Sequence, residues 1–419
     1  MEWLIRINYF ISIVFLICYS YQYVFIPVSL FFRKKEEDSA EMHNHYAVLI
    51  CARNEERVIE DILHSILAQT YPHYLIDVFV MADNCTDATA EIAKRNGARV
   101  YERFNRKLVG KGYALQVLLR NIHRDYPDTY DGYFIFDADN ILNRDYIEKM
   151  NVKIMEGNDI VTGYRNSKNY GSNWISAGYA LWFLRECRFL SEARSILGLS
   201  CAVGGTGFYF SEKIAREMGD WPYHLLTEDI EFSVDQILKG RKIAYCKEAE
   251  LYDEQPITFI QSYKQRLRWS KGYLQIFEKY GLKLVKGVFQ GNLSCLDMAL
   301  SIMPAFILSN LALAANLWFL LIGLGMGKEV SEAGRTLGEL FSNAYVMLLL
   351  VGTVTLCSEW KHIHAPVLKK ICSAFTFPLF MFTYLPISTV SLFSETRWEP
   401  IEHKITASVL QEEKKRAFF

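Results

Sequence analysis

The stretch YAVLICARNEERVIEDILHSILAQ, residues 46–69, places a β-rich run directly before a helical pattern. The same alternation continues along the chain, where further β-rich runs precede helical patterns: DVFVMA at 77–82, ARVYER at 98–103 and GYFIFDA at 132–138. This alternation is typical of βαβ units, in which helices cover a parallel sheet. The pattern over residues 46–155 therefore predicts an α/β domain.

Apolar residues are concentrated towards both ends of this 419-residue chain. Residues 8–32 carry no charge over about 25 residues, enough to cross a hydrocarbon core of roughly 30 Å. A signal peptide has a shorter apolar core and a small-residue cleavage site, so this run predicts an uncleaved anchor. Further candidate spans are 294–325, 343–359 and 371–393. The pattern predicts an integral membrane protein with a large polar middle.

The charges that flank these runs predict the orientation. The positive-inside rule, applied to Arg33–Lys35, puts residues 33 to about 293 in the cytoplasm. If all three C-terminal candidates crossed once, the tail would lie outside, yet its lysine and arginine content favours the inside. Pro378 and Pro386 interrupt the last candidate, which can be re-entrant instead. We expect a cytoplasmic tail, with residues 398–403 either beside the active site or anchored at the membrane interface.

Composition and charge disfavour several classes of function. The formal net charge of −1 leaves no general basic field, which disfavours nucleic acid as a partner. Nine cysteines without a Cys-x-x-Cys pair favour reduced thiols over a disulfide framework or a zinc site. The candidate spans carry almost no ionisable residue, which disfavours ion-coupled transport.

Polar residues follow each predicted strand, where ligands of parallel sheets bind. They are Arg53, Asn54, Glu55, Asp83, Asn84, Arg103, Asp137 and Asp139. The first strand-to-helix turn lacks Gly-x-Gly-x-x-Gly, and GKGYALQ lacks the loop that precedes a Walker A lysine. A dinucleotide site and a P-loop are therefore both disfavoured.

Two acidic pairs each allow two interpretations. In FIFDADNIL, residues 134–142, Asp137 and Asp139 either bend the chain in a turn or hold a divalent cation such as Mg²⁺. Thr227-Glu228-Asp229 is either a helix N-cap with acids in the first turn or a reactive carboxylate pair. Lys111, which opens a predicted helix, is placed to pair with a diphosphate.

A basic amphipathic segment follows at residues 262–287 and is typical of a helix at the membrane surface. Gln265, Arg268 and Trp269 lie at i, i+3 and i+4, so they share one helix face. An indole offers a flat stacking surface and a guanidinium matches phosphate oxygens. This face predicts a site for a sugar and a phosphate.

DAD at 137–139, TED at 227–229 and QRLRW at 265–269, in this order and followed by membrane spans, resemble the D-x-D, T-E-D and Q-x-x-R-W signatures of membrane-embedded family 2 glycosyltransferases. This family includes cellulose, chitin and hyaluronan synthases and bacterial poly-N-acetylglucosamine and exopolysaccharide synthases. A single D-x-D is a weak signal, whereas the three signatures together are specific. The resemblance covers residues 45–290 and implies a Rossmann-like GT-A domain.

The resemblance implies a role for each matching residue. Asp229 would be the general base, with Glu228 beside it, and Asp139 with Asp137 would bind Mg²⁺ or Mn²⁺. The nucleotide-sugar would contact these residues: Arg53, Glu55, Asp83, Lys111, Asp137 and Arg268. The residues that line the acceptor site or close over the donor would be these four: Gly205, Thr206, Gln265 and Trp269. The segment ADNCTD departs from the Asp-Asp-Gly-Ser of many members, which weakens the assignment of Asp83 to the uracil.

The implied organisation is an anchor over 1–36, a cytosolic catalytic domain over 37–260, an amphipathic interface helix over 261–293, a membrane region over 294–393 and a tail over 394–419. We expect a multi-pass protein of the plasma membrane. It would be an inverting, processive transferase that builds a β-linked extracellular or capsular polysaccharide from UDP-glucose or UDP-N-acetylglucosamine.

An alternative is a transferase that adds a single sugar to a lipid-linked acceptor. The implied partners are the UDP-sugar, a growing glycan or lipid-linked acceptor, membrane lipids, and a homo-oligomer or export partner. A non-catalytic, nucleotide-sensing scaffold would have lost the base or the metal pair, and both are present.

Overall fold

The computed structural model of the chain describes residues 2–32, 39–302, 304–326, 330–396, 398–400 and 403. Within these residues, eight strands form one mixed sheet in the order β3-β2-β1-β4-β7-β6-β8-β5. The strands are β1 Tyr46–Ala52, β2 Ile76–Asp83, β3 Arg99–Arg103, β4 Gly132–Asp137, β5 Ile141–Leu142, β6 Ile160–Ser167, β7 Phe208–Ser211 and β8 Ala244–Asp253.

The first four strands are mutually parallel, which confirms the parallel arrangement predicted for this part of the chain. β7 lies antiparallel between β4 and β6, and β8 then pairs parallel with β6. The edge strand β5 is antiparallel to β8. The sheet as a whole is therefore mixed, and helices cover both of its faces.

The central strand β1 explains why its sequence is apolar without a break. Ala47 and Leu49 point into one buried cluster, and Val48 and Ile50 point into the cluster on the other face. All four side chains are fully buried. A strand covered by helices on both faces needs apolar residues at every position.

The helices around the sheet are short and connect the strands. They are α2 Ile59–Leu67, α3 Thr89–Arg95, α4 Lys111–Asp125, α5 Tyr146–Met155, α6 Trp174–Arg185, α7 Glu192–Leu197, α8 Glu212–Met218 and α9 Glu228–Leu238, and they follow the N-terminal α1 Glu2–Phe31. A six-residue π-helix, Glu186–Ser191, joins α6 to α7.

The remaining helices are α10 Phe259–Phe289, α11 Leu293–Ile302, α12 Pro304–Met326, α13 Val330–Ser358, α14 Val367–Phe382 and α15 Tyr384–Phe393. In the described part of the chain, three helical segments are long and apolar enough to cross a membrane: Arg6–Phe31, Gly338–Ser358 and Val367–Phe393. The Asn8 and Asn316 side-chain amides hydrogen-bond to each other and join α1 to α12.

The predicted span 294–325 coincides with two described apolar segments, α11 up to Ile302 and α12 from Pro304, and residue 303 between them lies outside the described residues. The last candidate span, 371–393, falls on α14, which ends at Phe382, and on α15, which begins at Tyr384.

Candidate active site

The carboxyl ends of β1 to β4 lie side by side at one edge of the sheet, because these strands are parallel. The turns after β1 and β2 each contain a left-handed asparagine, Asn54 at φ 59° and Asn84 at φ 55°. Asparagine tolerates this conformation better than most residues. The backbone N–H of Thr86 donates to the Asn54 side chain at 2.8 Å, which ties the two turns together.

A cavity of ≈ 420 Å³ opens among the turns that follow β1, β2 and β3. It is lined by Arg53, Asn84, Cys85, Thr86, Phe104, Arg106 and Val109. Phe104 is 72% exposed, and it offers a flat apolar face beside two guanidinium groups. Such a lining suits a planar base and an anionic group. The sequence analysis missed Phe104 and Arg106, although they follow directly after the end of β3.

Asp83 does not line this cavity. Its side chain is 6% exposed and forms an ion pair with Arg103 at 2.5 Å. The side-chain amide of Asn84 donates to the same carboxylate at 3.0 Å. The predicted contact between Asp83 and uracil would require this buried pair to open, so the structure brings Asn84 rather than Asp83 to the cavity wall.

Lys111 is the first residue of α4 and lies at the centre of the sheet edge. Its ammonium forms an ion pair with Asp137 and donates to the Gly205 carbonyl oxygen at 2.7 Å. Burial alone would lower the pKa of Lys111, but Asp137 and Glu228 outweigh it and raise the pKa. Lys111 thus joins the D-x-D turn to the GGTG loop as a fixed positive charge.

The start of α4 depends on Gly112. A Cβ atom at this position would lie 2.0 Å from the carbonyl oxygen of Tyr223. Any side chain at position 112 would therefore clash where α4 approaches the segment that precedes TED. The Gly-Lys-Gly sequence is not a P-loop, and its second glycine allows this close contact.

Asp139 is almost fully buried and accepts a hydrogen bond from the backbone N–H of Glu254 at 3.0 Å. The described residues contain no group of three metal-ligating side chains. Mg²⁺ is usually held by one or two carboxylates together with substrate phosphates, so Asp137 and Asp139 fit an ion completed by a diphosphate. Burial raises the pKa of Asp253 to about 6, and nearby Asp139 adds to the rise although Arg165 opposes it. Asp139 and Asp253 thus lie close enough for their charges to influence each other.

Arg165 and Asp253, which the sequence analysis missed, connect the D-x-D turn to the GGTG loop. The Nε atom of Arg165 donates to Asp253 at 2.8 Å, and its Nη1 atom donates to the Gly204 carbonyl oxygen at 2.8 Å. Asp253 also accepts from the Asn140 side chain at 3.1 Å. The hydroxyl of Thr206 donates to Asn140 in turn. Asp253 ends β8, so the rule that ligands gather at strand ends would have indicated it.

Glu228 and Asp229 are the first two residues of α9. The hydroxyl of Thr227 does not cap this helix, because it is buried without a hydrogen-bond partner in the described structure. A Cβ atom at Gly205, where φ is +85°, would lie 3.4 Å from the Asp229 carboxylate. The carboxylate pair therefore adjoins the GGTG loop.

Burial raises the pKa of both carboxyl groups, and repulsion from Asp229 raises that of Glu228 further. Lys111 and Arg268 lower both values and offset part of this rise. The pair thus combines a buried glutamate and a partly buried aspartate with two cations close enough to influence both. Perturbed carboxyl groups of this kind are typical of acid–base sites.

The Q-x-x-R-W face of α10 closes the site. Arg268 donates to the Leu226 carbonyl oxygen at 2.9 Å, directly before TED. Trp269 packs edge-on against Tyr179 and Phe183, with ring centroids 5.8 and 6.2 Å away. The side-chain oxygen of Gln265 is buried and accepts no hydrogen bond from any described residue.

The described residues of the tail pack beside this site, which is one of the two placements considered for 398–403. The Arg53 guanidinium lies 5.3 Å from the Trp398 ring centroid, and Lys264 pairs with Glu399 at 2.9 Å. The Nδ1 atom of His403 lies 3.0 Å from Glu55. Burial would lower the pKa of His403, but Asp139 and Glu55 raise it to about 10, so the imidazole is a cation. Glu55 is thereby occupied by the tail.

Comparison with known protein families matches residues 43–272, more than half of the chain, to the family described as "Glycosyltransferase like family 2". The chain is 25% identical over 268 residues to poly-beta-1,6-N-acetyl-D-glucosamine synthase of Staphylococcus aureus (strain COL), covering 63% of each protein. It is 26% identical over 229 residues to the synthase of Staphylococcus epidermidis (strain ATCC 35984), covering 54% of this chain and 53% of that one. The chain thus matches less than two thirds of the length of these relatives.

Among solved structures, the chain is similar to the mannosyltransferase PcManGT from Pyrobaculum calidifontis, solved in complex with GDP-Man and Mn²⁺. The TM-score is 0.60 at 16% identity, and the match covers 93% of this chain and 99% of that one. The likeness shows a shared GT-A fold with apolar helices. With this fold and a family match that spans all three signatures from DAD to QRLRW, the chain belongs to glycosyltransferase-like family 2.

Proposed function

We propose that this glycosyltransferase is inverting and metal-dependent, and that it builds a β-linked extracellular or capsular polysaccharide processively from UDP-glucose or UDP-N-acetylglucosamine. The observation that carries the proposal is the carboxylate pair Glu228–Asp229, because Asp229 adjoins Gly205 of the GGTG loop, to which the Lys111 ammonium also donates. The product in the name of the staphylococcal relatives favours UDP-N-acetylglucosamine of the two donors.

Asp229 is the proposed general base. Its carboxylate borders Gly205, where the left-handed backbone leaves room for a sugar to approach. Asp229 would remove the proton of an acceptor hydroxyl, which attacks the anomeric carbon from the face opposite the diphosphate. An α-linked donor would then give a β-linked product. Glu228, on the same helical turn, would add negative charge beside the Asp229 carboxylate.

The leaving diphosphate would be stabilised by Lys111 and Arg268. Both cations lower the pKa of the carboxylate pair, which supports a position near the bond that would break, where they would offset the developing charge. A divalent cation held by Asp137 and Asp139 would neutralise further charge on the diphosphate. Arg53 would complete the donor site with Trp398 at its edge, whereas a contact between Glu55 and the donor would require its pair with His403 to open.

The cavity beside β3 is proposed to hold the nucleobase, with Phe104 stacked against it. Replacing Phe104 with alanine is expected to raise the KM for the UDP-sugar by about 5- to 100-fold with little change in kcat, because stacking of a base on an aromatic ring contributes about 1–3 kcal/mol. Initial-rate kinetics at varied donor concentration measure this effect. Tyr74→Ala, which removes a ring that is 80% exposed outside the cavity lining, is the control. Equal KM values in both variants would contradict the assignment.

The acceptor is proposed to lie between the GGTG loop and the Q-x-x-R-W face. Gly205 and Thr206 would line one side, and Trp269 would stack on the sugar. The unpartnered oxygen of Gln265 would accept a sugar hydroxyl. Tyr179 and Phe183 hold the Trp269 indole in a fixed orientation, which a stacking platform requires.

The long apolar helices indicate association with a membrane. We propose a multi-pass protein of the plasma membrane with its catalytic domain, residues 37–260, in the cytoplasm. The basic residues Arg33–Lys35 support this side, although they lie outside the described residues. The placement puts a cytosolic UDP-sugar within reach of the site.

The acid limb of the pH profile tests the carboxylate base. A general base must be ionised, and burial raises the pKa of Asp229, so activity should be lost at a higher pH than an ordinary aspartate would require. Because the Arg268 guanidinium lowers this pKa, Arg268→Gln should move the acid limb to still higher pH. The measurement is kcat/KM against pH for both proteins. The assignment of Asp229 as base would be contradicted if kcat/KM fell only in the pH range of an ordinary aspartate and Arg268→Gln did not shift that fall.

The proposed function is tested on detergent-purified protein with Mg²⁺ or Mn²⁺ and a panel of UDP-sugars. Release of UDP is followed, and the product is sized. Release with one donor and a long polymer would support the processive synthase. No release with any donor, with or without a lipid extract, would overturn the proposal.

A second candidate is the addition of one sugar to a lipid-linked acceptor. It is favoured because the described residues contain only three candidate spans, few to enclose a polysaccharide channel without a homo-oligomer or an export partner. UDP release that depends on added lipid, with a product one sugar larger, would support this second function.

A further inference from the structure

A second cavity lies on the far side of the Q-x-x-R-W helix, where α10 ends and α11 begins. Its volume is ≈ 270 Å³, and it is lined by Leu238, Lys283, Lys286, Gly287, Gln290, Asn292 and Cys295. A Cβ atom at Gly287 would lie 2.6 Å from the Cys295 sulfur, so the two helices meet closely at the floor of this groove. None of these residues belongs to the proposed active site.

The groove carries positive charge without a carboxylate to balance it. Lys283 and Lys286 are one helical turn apart and exposed, and neither forms an ion pair with any described residue. Lys279, one turn earlier, pairs with Glu231 at 2.6 Å instead. Gln290 follows Lys286 by four residues and adds an amide to the same face. Two ammonium groups and an amide form a surface complementary to an anion.

An apolar stripe runs directly beside the basic face of α10. Leu282, Val285 and Phe289 are 88, 47 and 87% exposed, and Leu293 at the start of α11 is 65% exposed. Large apolar side chains exposed together on a helix mark a contact with a membrane or a partner. α11 is itself apolar and leads into α12, so the groove lies where the chain turns towards the apolar region.

We propose that this groove binds the headgroup phosphate of an anionic phospholipid, with the acyl chains along the apolar stripe. Unpaired lysines beside a membrane surface attract anionic lipid, and the adjoining stripe explains why the ligand is an amphiphile rather than free phosphate. The proposal rests on α10 lying at the membrane surface, which is part of the proposed function. Bound lipid would fix the end of α10, and thereby the helix that carries Gln265, Arg268 and Trp269.

The test uses the full chain in detergent and measures lipid binding by native mass spectrometry. The probes are dioctanoyl phosphatidylglycerol, dioctanoyl phosphatidylcholine and inorganic phosphate. The test variant carries Lys283→Gln and Lys286→Gln. The control carries Lys94→Gln and Lys213→Gln, which remove two exposed charges from α3 and α8.

We expect phosphatidylglycerol to bind the double variant on the order of 10- to 30-fold more weakly than it binds the wild type and control. Phosphatidylcholine binding should be the same in all three. Equal phosphatidylglycerol binding in all three proteins would overturn the proposal, as would displacement of the lipid by equimolar phosphate. If the oligomeric state of the double variant changed while its lipid binding did not, the apolar stripe would instead be a contact with a second copy of the chain. No sugar donor is present, so the result is independent of the transferase assay.

Discussion

Asp229→Asn is expected to lower sugar transfer by about 10²- to 10⁴-fold, because a positioned general base typically contributes a factor of this size. The amide matches the carboxylate in shape but cannot remove a proton. Binding of UDP should persist, since the diphosphate is assigned to Lys111, Arg268 and the metal-binding carboxylates. The measurements are UDP release with the cognate donor and isothermal titration of UDP.

The same substitution should leave stability unchanged or raise it. Burial and a neighbouring carboxylate raise the pKa of Glu228, so removing one of the two charges relieves repulsion. Glu228→Gln is the matched variant, and it should keep more activity than Asp229→Asn because Asp229 remains. Wild-type turnover in Asp229→Asn would show that another group acts as base.

Lys111→Met is expected to abolish transfer and also to destabilise the domain. The Lys111 ammonium lies between Asp137 and the Gly205 carbonyl oxygen, and its removal leaves the Asp137 carboxylate without its partner. Because the Asp137 side chain is 35% exposed, solvent screens the unpaired charge, and the loss of stability should lie well below the roughly 3–5 kcal/mol of a fully buried pair. UDP release and the thermal unfolding of detergent-purified protein measure the two effects separately.

A double variant separates the structural from the chemical role of Lys111. Adding Asp137→Asn removes the unpaired charge, so stability should return towards the wild type. Transfer should remain lost, since the diphosphate would lack both Lys111 and one metal-binding carboxylate. Recovery of transfer in the double variant would show that Lys111 acts only by neutralising Asp137.

The three signatures could be read from the sequence, but the cavity beside β3 could not. Each signature is a short segment, and its residues lie on one turn or one helix face. The pocket instead combines residues from three turns, and Asp83, which the resemblance indicated for uracil, pairs with Arg103 below it. Arg103 is 20 residues away in sequence, and only the parallel pairing of β2 with β3 brings the two side chains together.

For the long apolar helices, too, the sequence predicted what depends on neighbouring residues but not what depends on distant ones. The apolar length of 8–32 predicted a helix, which the structure confirms as α1. Composition did not reveal the contact between α1 and α12, in which the side-chain amides of Asn8 and Asn316 hydrogen-bond to each other, because these residues lie 308 positions apart in the chain.

The sequence by itself determined the four parallel strands, the helices between them and the three signatures, because periodicity and turn chemistry are properties of neighbouring residues. Only the tertiary structure decided the rest of the sheet, in which β7 enters antiparallel between β4 and β6. It also placed Arg165 and Asp253 beside the D-x-D turn and His403 against Glu55, 348 residues away. These contacts join segments that are remote along the chain, and their formation depends on packing and charge pairing rather than on any local pattern.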